Sequence, residues 1–305
     1  MSGPRITLKQ VLRPPNWPGS VPREPLRRNV GIDYDGAWSR RPAARAFRRG
    51  AFDLVGNPLT HLLAAPQVFG AEHLAPLEGP VIFAANHTSH LDTAIVMSAL
   101  PERFRKRAAV AAAADYFFDR PWKSAVSSLF LGAIPVERSR VNRQSADIAA
   151  GLIETGWNLV IFPEGGRSPD GWGQEFRGGA AYLAKRCNVP VVPIHLHGVR
   201  PIIPKGSTRL RPGKVEVRIG DALWPKQATD DARDEDARHF ALRVEQAVSA
   251  LGDEAETDWW SARRRAVQGT TPPFRGPDAS SWRRAWTLPQ SSRRGEPVEK
   301  SPQPW

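Results

Sequence analysis

The chain has 305 residues, 41% of them hydrophobic, and a formal net charge of +12. The hydrophobic content is enough for a globular core, but no run approaches the ~18 consecutive apolar residues of a transmembrane helix. The single cysteine, Cys187, excludes a disulfide framework. The first residues, Met-Ser-Gly-Pro-Arg, lack the apolar segment of a signal peptide, so none is expected.

The excess positive charge lies at the two ends of the chain. Residues 1–50 contain 11 basic and 3 acidic residues, and residues 258–305 contain 9 and 4. The middle of the chain is close to neutral. Basic ends indicate a polyanionic surface, either anionic lipid or nucleic acid. Solvated, disordered tails are the alternative.

Residues 1–37 are rich in proline and arginine and are predicted to be irregular. Residues 38–69, at the start of a domain spanning 38–256, are predicted to form an N-terminal helical anchor. Prolines and glycines in this segment argue against one long helix and favour two short ones. A basic helix followed by an apolar one is typical of an interfacial anchor, although a helix packed on the core fits equally. The basic residues of the first helix are Arg40, Arg41, Arg45, Arg48 and Arg49.

The centre of the chain alternates between two hydrophobic patterns. Strands are predicted at 80–85, 108–113, 133–136, 158–162, 190–196 and 214–219. Helices are predicted at 92–100, 121–130, 143–155, 177–187 and 231–251. This alternation predicts an α/β fold, a single domain with a mostly parallel or mixed central sheet covered by helices.

The periodic pattern lapses after Glu256, so residues 257–305 are predicted to be a poorly ordered tail rich in Trp, Arg and Pro. Tryptophan favours the bilayer interface and arginine favours anionic headgroups, so the tail is a second candidate for membrane contact. Its tryptophans are Trp259, Trp260, Trp282 and Trp286, and they alternate with Arg263, Arg264, Arg265, Arg283 and Arg284.

Polar residues crowd the end of the first predicted strand, where ligands bind in open α/β sheets. His87 and Asp92 are five residues apart, which places them on different sides of a continuous helix. They meet if His87 lies in a turn and Asp92 in the first helical turn, and the pair is then a general base for a substrate hydroxyl. The alternatives are a capped helix start and a metal site formed by His87, His90 and Asp92.

Two more segments place charged groups after predicted strands. The first ends at Arg138, which suits an anion or a surface ion pair. In the second, the strand ending at Phe162 continues into Glu164, Gly165, Gly166 and Arg167. Glycines let backbone N–H groups approach a ligand, and arginine suits phosphate. Glu164 is expected to fix Arg167 or to accept a hydrogen bond from a substrate hydroxyl, and an ordinary turn with an ion pair is the alternative.

A further segment, Val189-Pro190-Val191-Val192-Pro193-Ile194, carries two prolines in a predicted strand. Proline removes ladder donors, so an edge strand or a pocket wall is expected here.

Four blocks in this order resemble the glycerolipid acyltransferase family. The block Asn-His-x-Ser-x-x-Asp is matched in full, the second block matches at its arginine, and the fourth matches at its valine and two prolines. In the third block, Phe-Pro-Glu-Gly-Thr-Arg-Ser, Gly166 replaces the threonine. The resemblance covers about residues 60–220. The residues that carry it are Asn86, His87, Ser89, Asp92, Arg138, Phe162, Pro163, Glu164, Gly165, Arg167, Ser168, Val189, Pro190 and Pro193.

The resemblance implies an O-acyltransferase that moves a fatty acyl group from acyl-CoA or acyl carrier protein to the free hydroxyl of 1-acyl-glycerol-3-phosphate, giving phosphatidic acid. It implies catalysis by His87 and Asp92, with substrate binding by Arg138, Glu164, Gly165 and Arg167. No cofactor, no metal and no nucleic-acid partner is expected. The expected location is peripheral, on the cytoplasmic face of the cell membrane, against anionic lipid. The alternatives are transfer to another lysophospholipid or a glycolipid, a thioester hydrolase, and a non-catalytic binding protein.

Overall fold

A seven-stranded sheet forms the centre of the computed structural model, which describes residues 34–136, 143–168, 170–203, 210–226 and 235–276. The strands are β1 Pro66–Phe69, β2 Ile82–Ala85, β3 Ala108–Ala113, β4 Ile134–Val136, β5 Asn158–Ile161, β6 Val191–His197 and β7 Val215–Ile219. Their order across the sheet is β1-β7-β6-β2-β5-β3-β4. β6 and β7 pair antiparallel and every other neighbouring pair is parallel. The predicted mostly parallel α/β sheet is therefore confirmed.

Helices cover the sheet on both faces. Those of the described residues are α1 Pro42–Ala51, α2 Asn57–Ala64, α3 Asp92–Ala99, α4 Glu102–Arg105, α5 Ala114–Phe117, α6 Pro121–Leu131, α7 Arg143–Glu154, α8 Gly179–Cys187, α9 Ala237–Glu256 and α10 Trp259–Gln268. Short 3₁₀ turns lie at Ala37–Arg40 and Ala71–Leu74.

Neighbouring residues of the central strands point to opposite faces of the sheet, and both faces are buried. Phe83 of β2 packs in one core cluster with Ile95 of α3. The preceding residue, Ile82, packs in the other cluster with Ile153 of α7 and Val244 of α9. Burial on both faces explains why these strands appear in the sequence as continuous apolar runs.

All six predicted strands are present, but the sequence pattern missed β1. Residues 66–69 were expected to belong to the helical anchor, and they instead pair in parallel with β7 at the edge of the sheet. The strand is only four residues long and is partly exposed, so it has no continuous apolar run to mark it.

The two prolines near β6 do not place this strand at an edge, and that expectation was wrong. β6 lies between β2 and β7. Its ladder with β7 begins at Ile194, and the next bridge on that side joins Val191 to Leu223. Pro193 falls between these two points, and its carbonyl accepts a hydrogen bond from Gly220 N at 2.9 Å, so the strand stays bound there although proline has no N–H to donate.

The N-terminal helical segment is also more continuous than expected. α1, a π-helical turn at Phe52–Gly56 and α2 follow one another without a break. The two predicted short helices are therefore present, but a π turn that the sequence pattern did not indicate joins them into one continuous helical run. The wide turn lets the chain continue past Pro58, whose ring would clash with the preceding turn of a regular α-helix.

Two of the five arginines predicted for the first helix, Arg48 and Arg49, are bound to other parts of the protein. Arg48 is 8% exposed, and its guanidinium donates to the carbonyls of Ser39, Ser128 and Leu129. Burial lowers the pKa of Arg48 to about 10. Arg49 pairs with Glu102 and, at 3.7 Å, with Asp53. Arg48 therefore caps the C-terminus of α6 and is not available to a lipid headgroup.

The segment after Glu256 is helical in part, which corrects the expectation of a disordered tail for residues 259–268. α10 begins where the Asp258 side chain accepts a hydrogen bond from Ser261 N at 2.9 Å. Arg265 of α10 forms a bidentate ion pair with Asp253 of α9. Residues 1–33 and 277–305 lie outside the described residues, and their predicted irregularity remains a prediction.

Within the described residues, no helix combines the length and the apolar character needed to cross a membrane.

Candidate active site

Two neighbouring parallel strands bring the predicted site residues to one edge of the sheet. β2 ends at Ala85 and β5 at Ile161, and Ile82, Phe83 and Ala84 of β2 pair with β5. The turn after β2 and the loop after β5 therefore meet at the carboxyl edge. Ser168 N donates to the carbonyl of His87 at 2.8 Å, which joins the two segments directly.

His87 and Asp92 are in contact. His87 lies in the turn and Asp92 is the first residue of α3, and His87 Nδ1 is 2.8 Å from Asp92 Oδ2. The same oxygen accepts from the backbone N–H groups of Thr88 and Ser89 at 2.6 and 2.8 Å. A carboxylate is an acceptor only, so Nδ1 carries the ring proton and Nε2 keeps its lone pair. The two side chains, five residues apart, thus meet under the condition stated from the sequence: His87 lies in the turn and Asp92 on the helix.

Asp92 is fully buried, at 0% exposure. Its second oxygen, Oδ1, has no hydrogen-bond partner among the described residues. The start of a helix favours a negative charge, and so do the two N–H donors to Oδ2. A positive imidazolium at His87 would complete the compensation of this buried charge.

Two further residues hold the histidine turn. Asn86 exchanges two hydrogen bonds with the backbone of Leu196 on β6, at 3.0 and 2.7 Å. Phe162 stacks on the His87 ring, with centroids 4.3 Å apart and planes inclined by 25°. The imidazole is therefore fixed at Nδ1 and on one face.

Glu164 binds backbone N–H groups of two other segments. Its Oε1 accepts from His87 N at 2.7 Å and its Oε2 from Gln174 N at 3.0 Å. The residue is 2% exposed. Burial raises the pKa of Glu164 to about 8 and outweighs the lowering by its two backbone donors. Glu164 therefore links the histidine turn to the loop after β5 from inside the protein.

The glycines after Glu164 differ in what surrounds them. Gly165 has φ +70°, and a Cβ there would lie 2.8 Å from Arg177 Nε. Only glycine fits this position without strain. A Cβ at Gly166 would meet nothing within 4 Å, so a side chain there would enter open space.

Arg167 follows these glycines, and its positive charge affects the pKa of His90 in the histidine turn. Burial lowers the pKa of His90, and the positive charge of Arg167 lowers it further. The Arg167 guanidinium is thus close enough to the histidine turn to act on His90 electrostatically. Arg138, the other predicted anion-binding residue, lies outside the described residues, and its role remains a prediction.

The metal alternative requires His87, His90 and Asp92 to converge. The described residues contain no group of three His, Cys, Asp or Glu side chains that could hold a metal ion. The His90 ring stacks on Tyr116, at 5.8 Å between centroids.

Several residues of the site carried no clear signal in the sequence. Phe162 was visible only as the end of an apolar strand, and Gln174 belongs to no recognisable pattern. Asn86 and Ser168 stood in the resembled blocks without a stated role. Ser168 Oγ donates to Trp172 O and accepts from Gly171 N, both at 2.7 Å, and so shapes the loop that follows Arg167.

Part of this chain matches a known protein family. Residues 65–197 match the family model Acyltransferase. The matched range holds β2, β5 and β6 and every described residue of the candidate site.

Named relatives match only part of this chain. The chloroplastic 1-acyl-sn-glycerol-3-phosphate acyltransferase of Brassica napus is 35% identical over 118 residues, 37% of this chain and 34% of that protein. The human 1-acyl-sn-glycerol-3-phosphate acyltransferase alpha is 28% identical over 130 residues, 42% of this chain and 44% of that protein. The chain therefore spans less than half the length of these curated relatives.

A solved structure shares the fold. The crystal structure of the 1-acyl-sn-glycerophosphate (LPA) acyltransferase PlsC from Thermotoga maritima aligns with a TM-score of 0.52 and 24% identity. The alignment covers 71% of this chain and 80% of that one.

Proposed function

We propose that this protein is an O-acyltransferase that moves a fatty acyl group from an acyl thioester to the free hydroxyl of 1-acyl-glycerol-3-phosphate, giving phosphatidic acid. The observation that carries the proposal is the His87–Asp92 contact, 2.8 Å long, at the carboxyl edge of the sheet. The activity for which the relatives are named supports the same reaction. The donor is acyl-CoA or acyl carrier protein.

His87 acts as the general base in this proposal. Its Nε2 accepts the proton of the acceptor hydroxyl while the oxygen attacks the thioester carbonyl. Asp92 stabilises the imidazolium that forms. When the tetrahedral intermediate collapses, the carbon–sulfur bond breaks and the thiolate takes the proton from the imidazolium. Protons and charges balance, and the protein itself forms no covalent bond.

Arg167 holds the acceptor's phosphate and so fixes the position of its hydroxyl. The lowering of the His90 pKa by the Arg167 charge supports this role. Gly165 lets the backbone approach the ligand, and Arg138 is proposed as the second phosphate contact.

Gly166 favours a second candidate within the same reaction class. The open space at this glycine leaves room for a headgroup larger than phosphate. Transfer to another lysophospholipid or to a glycolipid is therefore the alternative acceptor choice. A thioester hydrolase would use the same base on water and would need no phosphate-binding arginine.

The proposed acceptor is a lipid embedded in a bilayer, so the protein must bind to a membrane surface. Large apolar side chains are exposed along α1, the π turn and α2, namely Phe47, Leu54, Val55, Leu59 and Leu62. α6 exposes Trp122, Val126 and Phe130. The ring of Phe130 lies 5.7 Å from that of Phe47 on α1, which joins the two sets into one apolar face.

We propose that this face lies in the membrane interface as a peripheral contact. It replaces the arginine cluster as the main contact, because Arg48 is buried and Arg49 is ion-paired. Anionic lipid as the preferred surface, the cytoplasmic face of the cell membrane as the location, and the lack of nucleic-acid binding remain predictions.

The proposed function is tested by an acceptor screen with purified protein and radiolabelled acyl-CoA, read by lipid chromatography. We expect label in phosphatidic acid when 1-acyl-glycerol-3-phosphate is supplied, and none with a folded His87→Ala variant. Label in another lipid product would move the protein to the alternative acceptor class. Release of free fatty acid with every acceptor would identify a hydrolase and contradict the proposal.

A further inference from the structure

A short segment after α10 packs against the loop that carries Arg167. Residues 270–276, here called the C-terminal strap, follow the helix end at Gly269 and run back along α9. Ser249 Oγ of α9 donates to Pro272 O at 2.9 Å. Gly173 N of the loop donates to Phe274 O at 3.0 Å. The strap is therefore bound on both sides by hydrogen bonds.

Apolar contacts between strap and loop are close. The Phe274 ring meets the Phe176 ring edge-on, with centroids 5.4 Å apart. A Cβ at Gly173 would lie 2.0 Å from the Phe274 ring, and a Cβ at Gly276 would lie 2.4 Å from the Trp172 ring. Each segment thus places an aromatic ring against a glycine of the other, and neither glycine tolerates a side chain.

Glu245 of α9 joins the strap and the loop by charge. It is almost fully buried, and its Oε2 accepts from Phe176 N at 2.8 Å. Arg275 of the strap donates to the two oxygens of this carboxylate at 3.1 and 3.3 Å. Arg275 also lies 3.6 Å from Glu175 of the loop. A buried carboxylate thus holds the backbone of the loop, and the strap supplies its counter-charge.

The loop in turn is bound to the candidate site. Gln174 lies between the residues that the strap touches, and its N–H donates to Glu164 Oε2 at 3.0 Å. Its side-chain amide donates to Gly166 O at 3.0 Å. Gly166 immediately precedes Arg167, and the other oxygen of Glu164 binds His87 N. Contacts thus run from the strap through Gln174 to the turn that presents Arg167.

We propose that the C-terminal strap is a positioning element for the acceptor: it holds loop 172–176, and through Gln174 it sets the turn of Gly166 and Arg167. This inference rests on the proposed function for the identity of the acceptor. The strap lies outside residues 65–197, so the matched family domain does not contain it. Phe274 and Arg275 are positioning residues, because neither belongs to the site itself.

The test uses two strap variants in the full chain, Phe274→Ala and Arg275→Gln. Matched controls are Val267→Ala on α10 and Arg238→Gln on α9, both of which are exposed. Steady-state kinetics are measured in detergent with acyl-CoA and 1-acyl-glycerol-3-phosphate. We expect the acceptor KM of the strap variants to rise about threefold to tenfold, the range for losing one hydrogen bond. The donor KM and all constants of the controls should stay at wild-type values.

Hydrogen exchange gives a second measurement that does not depend on activity. Peptides covering residues 163–177 should exchange faster in the strap variants, while peptides covering β2 and β5 keep wild-type protection. An acceptor KM at the wild-type value in folded variants, or an equal rise of donor and acceptor constants, would overturn the inference.

If the wild-type protein transfers no acyl group, the proposed function fails, and exchange alone then decides whether the strap holds the loop. Unchanged exchange at 163–177 would overturn the inference in that case as well. Should Phe274→Ala fail to fold, Arg275→Gln carries both measurements, because Arg275 is more exposed than the ring.

Discussion

The imidazole of His87 is held by a carboxylate at Nδ1 and by an aromatic ring on one face. A ring held in this way is oriented before any substrate binds, as the proposed proton transfer requires. Its environment is built from a turn, a helix start and the end of a neighbouring strand.

Replacing His87 with Ala is expected to lower kcat by roughly 10²–10⁴-fold, the usual contribution of a general base. The fold should survive, because the residue lies in a turn at the sheet edge. The measurement is kcat of the folded variant with acyl-CoA and 1-acyl-glycerol-3-phosphate. His239→Ala, at an exposed position on α9, is the control. Turnover near the wild-type rate would remove His87 from the mechanism.

Arg167→Ala is expected to raise the acceptor KM while leaving the donor KM unchanged. A charge-assisted hydrogen bond contributes on the order of 1.5–3 kcal/mol, so the rise should be tenfold or more. The measurement compares the two KM values, with the exposed Arg211→Ala as a control for loss of charge. A change confined to the donor constant would assign Arg167 to the thioester instead.

The raised pKa of Glu164 predicts how stability changes with pH. The unfolded chain loses this proton near the ordinary pKa of 4.5, whereas the folded protein keeps it up to about 8. The folded state therefore binds more protons in this range, and stability falls as pH rises from 4.5 to about 8. Glu164→Gln cannot ionise, so it should lack this part of the decline.

The measurement for Glu164 is the free energy of unfolding at about pH 5 and about pH 8.5, in the wild type, in Glu164→Gln and in the exposed Glu256→Gln. The difference in free energy of unfolding between wild type and Glu164→Gln should change with pH. The difference between wild type and Glu256→Gln should stay the same at both pH values. Parallel curves for all three proteins would contradict the buried, proton-binding state of Glu164.

At the scale of elements, one arginine joins the N-terminal helical segment to the domain. Arg48 of α1 donates to carbonyls at the C-terminus of α6 and to Ser39 O. The cation also complements the negative end of the α6 dipole. This contact holds α1 beside α6 and thereby completes the shared apolar face of Phe47 and Phe130.

Arg48→Gln should therefore destabilise the protein, by on the order of 3 kcal/mol, since it leaves buried carbonyls without donors. The exposed Arg41→Gln is the control and should be nearly neutral. Chemical denaturation of both variants measures the effect. Equal stabilities would mean that Arg48 does not bind α1 to the domain.

At the scale of the whole molecule, exposed apolar side chains on two elements form one face. Leu54 and Leu62, at 80% and 74% exposure, are its most exposed leucines. Burial of apolar surface contributes about 25 cal/mol per Å². Inserting these two side chains into the membrane interface would therefore strengthen binding of the protein to the membrane.

Replacing Leu54 and Leu62 together with Gln should weaken co-sedimentation with vesicles at both low and high salt, while activity on detergent-dispersed acceptor is kept. Val267→Gln, at 80% exposure on α10, is the control. If Val267→Gln released the protein and the double variant did not, the membrane contact would lie at the C-terminal end of the described chain.

Local patterns alone predicted the six central strands and the helices between them, and they offered the contact of His87 with Asp92 as one of three alternatives. Each of these depends on residues close in sequence: apolar runs bounded by turn residues, and a turn followed by a helix start. The short strand β1 and the continuation past Pro58 were missed, because a four-residue exposed strand and a π turn leave little periodic signal.

The tertiary structure decided everything that joins distant segments. Glu164 binds His87 across 77 positions, Arg48 binds Leu129 across 81, and Glu245 binds Phe176 across 69. A sequence read locally shows that a carboxylate or a guanidinium is present, but burial and backbone partners are set only when the sheet brings the segments together. For the same reason an arginine that looks like a surface charge is a buried helix cap, and a tail that looks irregular packs against the loop of Arg167.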